Sequence, residues 1–284
     1  MSASDAESLR EEMLDRWERA APGWERRADD TRRFGMPVSA WMVEHLALQP
    51  GERVLELAAG PGDTGFLAAE LVAPGGTLIS SDASEPMLEI ARRRAAAQGI
   101  ENVEFKHLEL EWVDLPAASV DAVLCRWGVM LIVDPAAALR EMRRVLRPGG
   151  RAALAVWNDA ARNPWATTPG RALITLGFAD PPDPNAPGMF TLAAPGLLQD
   201  LLEAAGFTDT LVENVSLERS APSLDEYLAG QLDMSVGFAE VFSGLSEGDR
   251  ARVSDEIATL AAPFVNCDGS VRFPADSLVA LANA

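Results

Sequence analysis

An α/β fold, a mostly parallel sheet with helices on both faces and a helical cap, is predicted by three observations on this sequence. Between residues 53 and 157 short apolar runs alternate with longer amphipathic segments. The junctions carry helix punctuation: Ser84 and Pro86 open one helical run that Gly99 closes, and Asp134-Pro135 opens another. The first apolar run empties into a glycine loop, "VLELAAGPGDTG" (54–65), where an open parallel sheet places its ligand.

The elements follow in order. Residues 5–20 and 36–48 read as helices separated by the turn-like "APGWERRADD". "RVLELA" is a first strand, and "DTGFLAAELVA" a helix closed by Pro74-Gly75-Gly76. "TLISSD" is a second strand, "SEPMLEIARRRAAAQG" a helix, "VEFKHLE" a third strand and "VDAVLCR" a fourth. "DPAAALREMRRVL" is the helix leading through "RPGG" to a fifth strand, "RAALAVW". Regularity then lapses into a proline-rich stretch with one helix near 168–177. "LLQDLLEAAGF" is a helix ending at Gly206, and "TDTLVENVSLE" a strand. Two or three amphipathic helices fill 222–265, and "GSVRFPADSLVALANA" supplies a last strand. No linker divides the chain. The expected organisation is a helical cap over 1–35, a core over 36–220, a helical lid over 221–265 and a sheet-completing strand over 266–284.

Composition narrows the function. The 284 residues are 48% hydrophobic and 24% charged, ordinary for a globular protein. Net charge is −19 and Lys106 is the only lysine, so the chain lacks the basic surface that displaces counterions from nucleic acid. The best apolar run, "AVLCRWGVMLIV", is interrupted by Arg126 and is too short for a membrane span. The acidic N-terminus has no apolar secretion core, which predicts a cytoplasmic protein. Cys125 and Cys267 make no framework, and with only His45 and His107 beside them no metal site is expected.

Gly60, Gly62 and Gly65 form a literal G-x-G-x-x-G, the pattern of dinucleotide loops. Such a loop serves any anionic ligand at a helix N-terminus, whether pyrophosphate or amino-acid carboxylate. Asp82, ending the second strand, can hold ribose hydroxyls in either case. Glu56 discriminates: a carboxylate two residues before the loop has no use beside a pyrophosphate and suits an ammonium group. Glu109, ending the third strand, adds an acceptor for an adenine amino group. A zwitterionic amino acid joined to a nucleoside fits this pattern, which favours S-adenosylmethionine over NAD.

At these residues the chain resembles class I S-adenosylmethionine-dependent methyltransferases of the ubiquinone/menaquinone-biosynthesis type, the type 11 group. The resemblance is carried by "VLELAAGPGDTG", "SDASEPMLEIARRRA", "FKHLELEWVDLP" and "SVDAVLCRWGVMLIVDPAAALREMRRVLRPGGRAALAVW", in order over residues 36–158 and more weakly through "LLEAAGF". It implies a seven-stranded, Rossmann-like sheet. It implies that Glu56 and the backbone of Ala58, Ala59, Gly60 and Gly62 hold the methionine portion, and that Asp82 holds the ribose. It places Ala83 and Met87 beside the adenine, with Glu109, the Leu110 backbone and Glu111 at the adenine amino edge. The choice between Glu109 and Glu111 stays open, because "HLELEW" is longer than the shortest family versions. Arg126 falls near the transferred methyl or the ligand carboxylate. Ala58 stands where the family commonly has glycine.

The acceptor site is expected in the covering elements: Trp17, Trp24 and Phe34 in the cap, Trp127 and Met130 after the fourth strand, Trp165 and Phe190 after the fifth. Aromatic residues there predict a small, apolar or aromatic acceptor. No general base is evident. His45 reads as a satisfied core histidine, and "CRWG" replaces the N-P-P-Y of adenine methylation in DNA. Two rivals accompany the methyltransferase reading: an NAD(P)-dependent oxidoreductase using the glycine loop, and a non-catalytic S-adenosylmethionine-binding protein.

Overall fold

The computed structural model describes residues 3–183 and 186–284. The first two residues of the expected cap, and residues 184–185 of the irregular stretch, lie outside them. Seven strands form one sheet in the order β3-β2-β1-β4-β5-β7-β6. The parallel strands are β1 (Arg53–Glu56), β2 (Thr77–Asp82), β3 (Val103–His107), β4 (Val120–Arg126) and β5 (Leu146–Trp157). The last two, β6 (Thr208–Ala221) and β7 (Val271–Asn283), make an antiparallel pair docked on β5. Strand order reverses between β1 and β4, the switch at which such sheets open a crevice.

The core between the strands and helices is largely apolar. Val54, Leu55, Leu78, Ile79, Val123, Leu124 and Leu154 are fully inaccessible, as buried parallel strands with both faces covered require. Helices α3 (Asp63–Val72), α4 (Glu85–Gln98) and α5 (Pro135–Val145) join the parallel strands, and α7 (Leu197–Ala204) precedes β6. The caps read from sequence are present: Ser84 Oγ accepts from the Met87 N–H, and Asp134 Oδ1 from the Ala137 N–H.

The N-terminus differs from its reading. "APGWERRADD" is not a turn: α1 (Ala3–Arg26) continues through Pro22, and α2 (Ala28–Leu46) begins after a break at Arg27. Packing overrides the proline and glycine signals there, because Ala21 joins Met87 and Ile90 of α4 with Trp17 and Trp24 against them. Helix α2 belongs to the core, burying Val38, Met42 and Leu46 completely. The expected helix near 168–177 is α6 (Pro164–Thr175), and three helices cover the sheet's end: α8 (Leu224–Met234), α9 (Val236–Gly244) and α10 (Glu247–Ala261). The strand expected to reach residue 109 stops at His107.

Because Met42 is enclosed, Met42→Ala is expected to lower stability by about 2–5 kcal/mol in denaturant titration. A loss under ~1 kcal/mol, the range of surface substitutions, would show α2 to be a peripheral cap.

Candidate active site

The glycine loop is built around a buried carboxylate. Glu56, at the end of β1, is 3% exposed; it accepts from the Gly65 N–H (2.6 Å) and from Ser80 Oγ (3.1 Å). A side chain at residue 65 would collide with it, since an added Cβ would lie 2.1 Å from Glu56 Oε2. Burial is the main cause that pushes the Glu56 carboxyl up to about 7, against the two hydrogen bonds and Arg126; Asp63 adds to the rise. Asp63 is itself paired with Arg94 (2.6 Å) and lies 3.8 Å from Arg126. Glu56 and Asp63 are thus buried beside the loop, with Arg94 and Arg126 against Asp63.

Above them opens a cavity of about 460 Å³. Its floor is the loop itself: Ala58, Ala59, Gly60 and Pro61 line it, with Asp82 and Ala83 from the end of β2. Asp82 accepts from the N–H groups of Gly60 (2.8 Å) and Ser84 (2.9 Å), so it fixes the loop while lining the cavity. Burial raises its pKa. The far wall combines Met87, Leu110, Arg126, Trp127 and Gly128. Two non-glycine residues lining this cavity, Ala58 (φ 51°) and Trp127 (φ 60°), hold left-handed backbone. That conformation costs roughly 1–2 kcal/mol per residue and concentrates where function needs it. The loops after β1 and β4 nearly touch: a Cβ on Gly128 would lie 2.5 Å from the Ala58 Cβ.

Helix α1 roofs the cavity with Glu7, Arg10, Met13, Leu14, Trp17 and Trp24. Trp17 and Trp24 meet edge-on at 5.9 Å, and the Trp24 Nε1 is buried without a hydrogen-bond partner among the described residues. These two tryptophans line the same cavity as the loop, on the side of Met87, rather than a separate acceptor chamber. Trp112 stands at the same cavity, 76% exposed.

The expected site residues do not all line this cavity. Glu56 does not line the cavity; the Gly65 and Ser80 bonds turn its carboxylate under α3. Gly62 also stays off the cavity, as the left-handed N-cap of α3. Glu111 lines it, but Arg10 takes both its oxygens (2.8 and 3.0 Å) and the Asp134 N–H bonds one of them. Glu109 is exposed and lines the cavity as well, so its carboxylate is the freer of the two. Phe34, Met130, Trp165 and Phe190 lie outside the cavity. Phe34 and Trp165 join Trp127 and Trp157 in an aromatic cluster: Trp127 stacks on Trp157 at 4.1 Å, and Phe34 sits 5.2–6.1 Å from the other three rings. Met130 packs beneath, its sulfur accepting from the Trp157 N–H. Phe190 is half-buried against the core. The sequence reading missed Trp112, Trp157 and the α1 residues Arg10, Met13 and Leu14; an unexplained tryptophan in the polar "LEWVD" was the one available signal.

His45 is satisfied, its Nδ1 2.8 Å from the Trp41 carbonyl. Among the described residues no cluster of His, Cys, Asp or Glu could hold a metal, and no helix is long and apolar enough to cross a membrane.

Comparison with known proteins then decides the family. A methyltransferase domain model matches residues 48–172. Nocamycin O-methyltransferase from Saccharothrix syringae is 31% identical over 202 residues, covering 68% of this chain and 72% of that protein. The chain belongs to the S-adenosylmethionine-dependent methyltransferases. Within that family, demethylmenaquinone methyltransferase from Clavibacter sepedonicus is 45% identical over 101 residues, covering 36% of this chain and 39% of that relative. A solved S-adenosylmethionine-dependent methyltransferase from Aquifex aeolicus has the same fold at a TM-score of 0.50 and 21% identity, covering 69% of this chain and 92% of that one. The oxidoreductase alternative gains no support from these relatives. The cofactor of the methyltransferase family is S-adenosylmethionine, and the site suits it: a backbone floor, the apolar side chains of Met87 and Leu110, and an Asp82 carboxylate with acceptor capacity to spare.

The ordinary value of a carboxyl like Glu56 is 4.5, and folding raises it to about 7. The stability it contributes is therefore full below the lower value and is lost as pH rises through the upper one, by an amount on the order of 3 kcal/mol. Glu56→Gln keeps an acceptor for Gly65 and has no proton to release, so it should flatten that pH slope. Denaturant titrations below pH ~5 and above pH ~8 measure it; parallel slopes in both proteins would refute the assignment.

Proposed function

We propose that this methyltransferase moves the methyl group of S-adenosylmethionine to a small, apolar or aromatic acceptor by in-line displacement. The observation that carries the reading is one cavity combining the Ala58–Pro61 floor, Asp82 and the Met87–Leu110 wall beneath an aromatic roof. The bound cofactor supplies an electrophilic methyl on sulfur; the chain supplies alignment and a dry enclosure. Positioning of this kind contributes roughly 7–11 kcal/mol to such reactions.

The roles follow from placement. Asp82 accepts from the ribose hydroxyls, while Ala83, Met87 and Leu110 flank the adenine and Glu109 accepts from its amino group. The backbone of Ala58–Gly60 and the Arg126 guanidinium bind the amino-acid end, with Arg126 paired to its carboxylate. Glu56 is a positioning residue: it fixes α3 and the loop rather than touching the ligand. Trp17 and Trp24 close the cofactor chamber, and the aromatic cluster around Trp127 forms the acceptor side. Tyr227 of α8 donates to the Trp165 carbonyl (2.6 Å) and ties the lid to that cluster. We place the protein in the cytoplasm acting on a small molecule: the strong negative charge disfavours nucleic acid, and two unpaired cysteines, one exposed, suit a reducing compartment.

Asp82→Asn is expected to weaken S-adenosylhomocysteine binding by about ten- to a hundredfold in calorimetry, the value of a charge-assisted hydrogen bond. Wild-type protein should be thermally stabilised by S-adenosylhomocysteine and not by NADH. Stabilisation by NADH alone would end the proposal, and cofactor binding with no transfer to any acceptor would favour a binding protein.

A further inference from the structure

A second cavity, of about 560 Å³, lies across the aromatic cluster from the first. Four arginines line it, Arg27, Arg33, Arg219 and Arg272, in a chain whose net charge is −19. Three of them are matched. Arg27 pairs with Asp233 and Glu226, Arg33 with Asp30 at 3.4 Å, and Arg272 with Glu218 at 3.1 Å. Arg219 makes no hydrogen bond or close ion pair among the described residues. Its guanidinium lies 5.2 Å above the ring of Phe34. Burial lowers its pKa, with Asp30 the largest opposing influence.

A half-buried guanidinium with unused donors is costly unless something accepts from it. Its planar fork fits a carboxylate with two parallel bonds. The lining favours one negative charge over two: a single arginine is unmatched, and Asp30 and Glu226 on the same wall repel a dianion. The location adds the rest of the ligand. The Phe34 ring under Arg219 packs on Trp127 at 6.1 Å, and Trp127 lines the first cavity. The rings of Phe34 and Trp127 are therefore packed between the free guanidinium and the cofactor chamber.

We propose that Arg219 anchors the carboxylate of a monoanionic acceptor, whose apolar or aromatic body lies along Phe34 and Trp127 toward the cofactor. The acceptor role rests on the methyltransferase reading above; the binding of the anion does not. The Arg219 cavity thus sets substrate specificity at the end of the acceptor remote from the transferred methyl.

The test uses phenylacetate, phenylpropionate and phenylbutyrate, with their methyl esters and inorganic phosphate, titrated calorimetrically into the full chain with and without S-adenosylhomocysteine. The acids are expected to bind and the esters to bind at least tenfold more weakly, as loss of a charge-assisted pair requires. Arg219→Gln should weaken the acids by about ten- to a hundredfold and Arg219→Lys by less. Unchanged cofactor affinity in both variants reports that they are folded. Equal binding of acids and esters, acids unaffected by Arg219→Gln, or phosphate bound in preference to the acids would each overturn the site. A nuclear Overhauser contact between the ¹³C-labelled methyl of bound S-adenosylmethionine and a bound acid supports the acceptor role. Its absence for every acid that binds overturns that role. Failure of the wild type to bind any cofactor instead strikes the underlying reading, since the cofactor-free titration still reports on Arg219.

Discussion

The hydrogen bond from the Gly65 N–H to the Glu56 carboxylate is the contact on which the site depends. It places an acceptor under the positive end of α3, where free N–H groups and the helix dipole favour one. It also fixes the distance between the exit of β1 and the first turn of α3, so the intervening loop has little freedom. Ser80 brings β2 into the same arrangement. A buried carboxyl is costly; these bonds, with Arg126, offset part of that cost, and burial still pushes the group up to about 7.

With the loop length fixed, strain collects where the ligand must approach. Ala58 and Trp127 hold left-handed backbone on opposite sides of the crevice, and Gly128 is small because the Ala58 methyl occupies its space. Asp82 draws the Gly60 N–H toward β2. The floor is therefore held by contacts within the chain.

The roof is held differently. Salt bridges ring α1: Arg10 to Glu111, Arg26 and Arg27 to Asp233, Arg93 to Glu25. Of these, the Arg93–Glu25 pair is exposed on both sides, and pairs of that kind contribute little individually. The apolar contact of Trp17, Ala21 and Trp24 with Met87 and Ile90 carries more of the docking. This division gives a floor fixed by hydrogen bonds under a roof held by a small apolar patch on α4 and by packing on α8, a suitable balance for a chamber that must admit ligands. The aromatic cluster then stands between two chambers of opposite character, one built around backbone and apolar walls, the other around arginines.

The sequence by itself determined the sheet, its helices and the position of the crevice. Those depend on apolar runs, caps such as Ser84 and Asp134, and glycines at fixed offsets, all local along the chain. It also marked Asp82, Met87 and the 58–60 loop, because strand ends and helix starts bring nearby residues together. Only tertiary structure decided the rest. Pro22 and Gly23 signalled a turn, but burial of Trp17 and Trp24 against α4 carried α1 through them. Glu56 is expected at the ligand, and a hydrogen bond from a residue nine positions on directs its carboxylate to the first turn of α3. Glu111 resembled an adenine acceptor until Arg10, 101 residues away, took its oxygens. Arg219 attracted no notice in β6, since an unmatched charge is visible only when every possible partner has been placed.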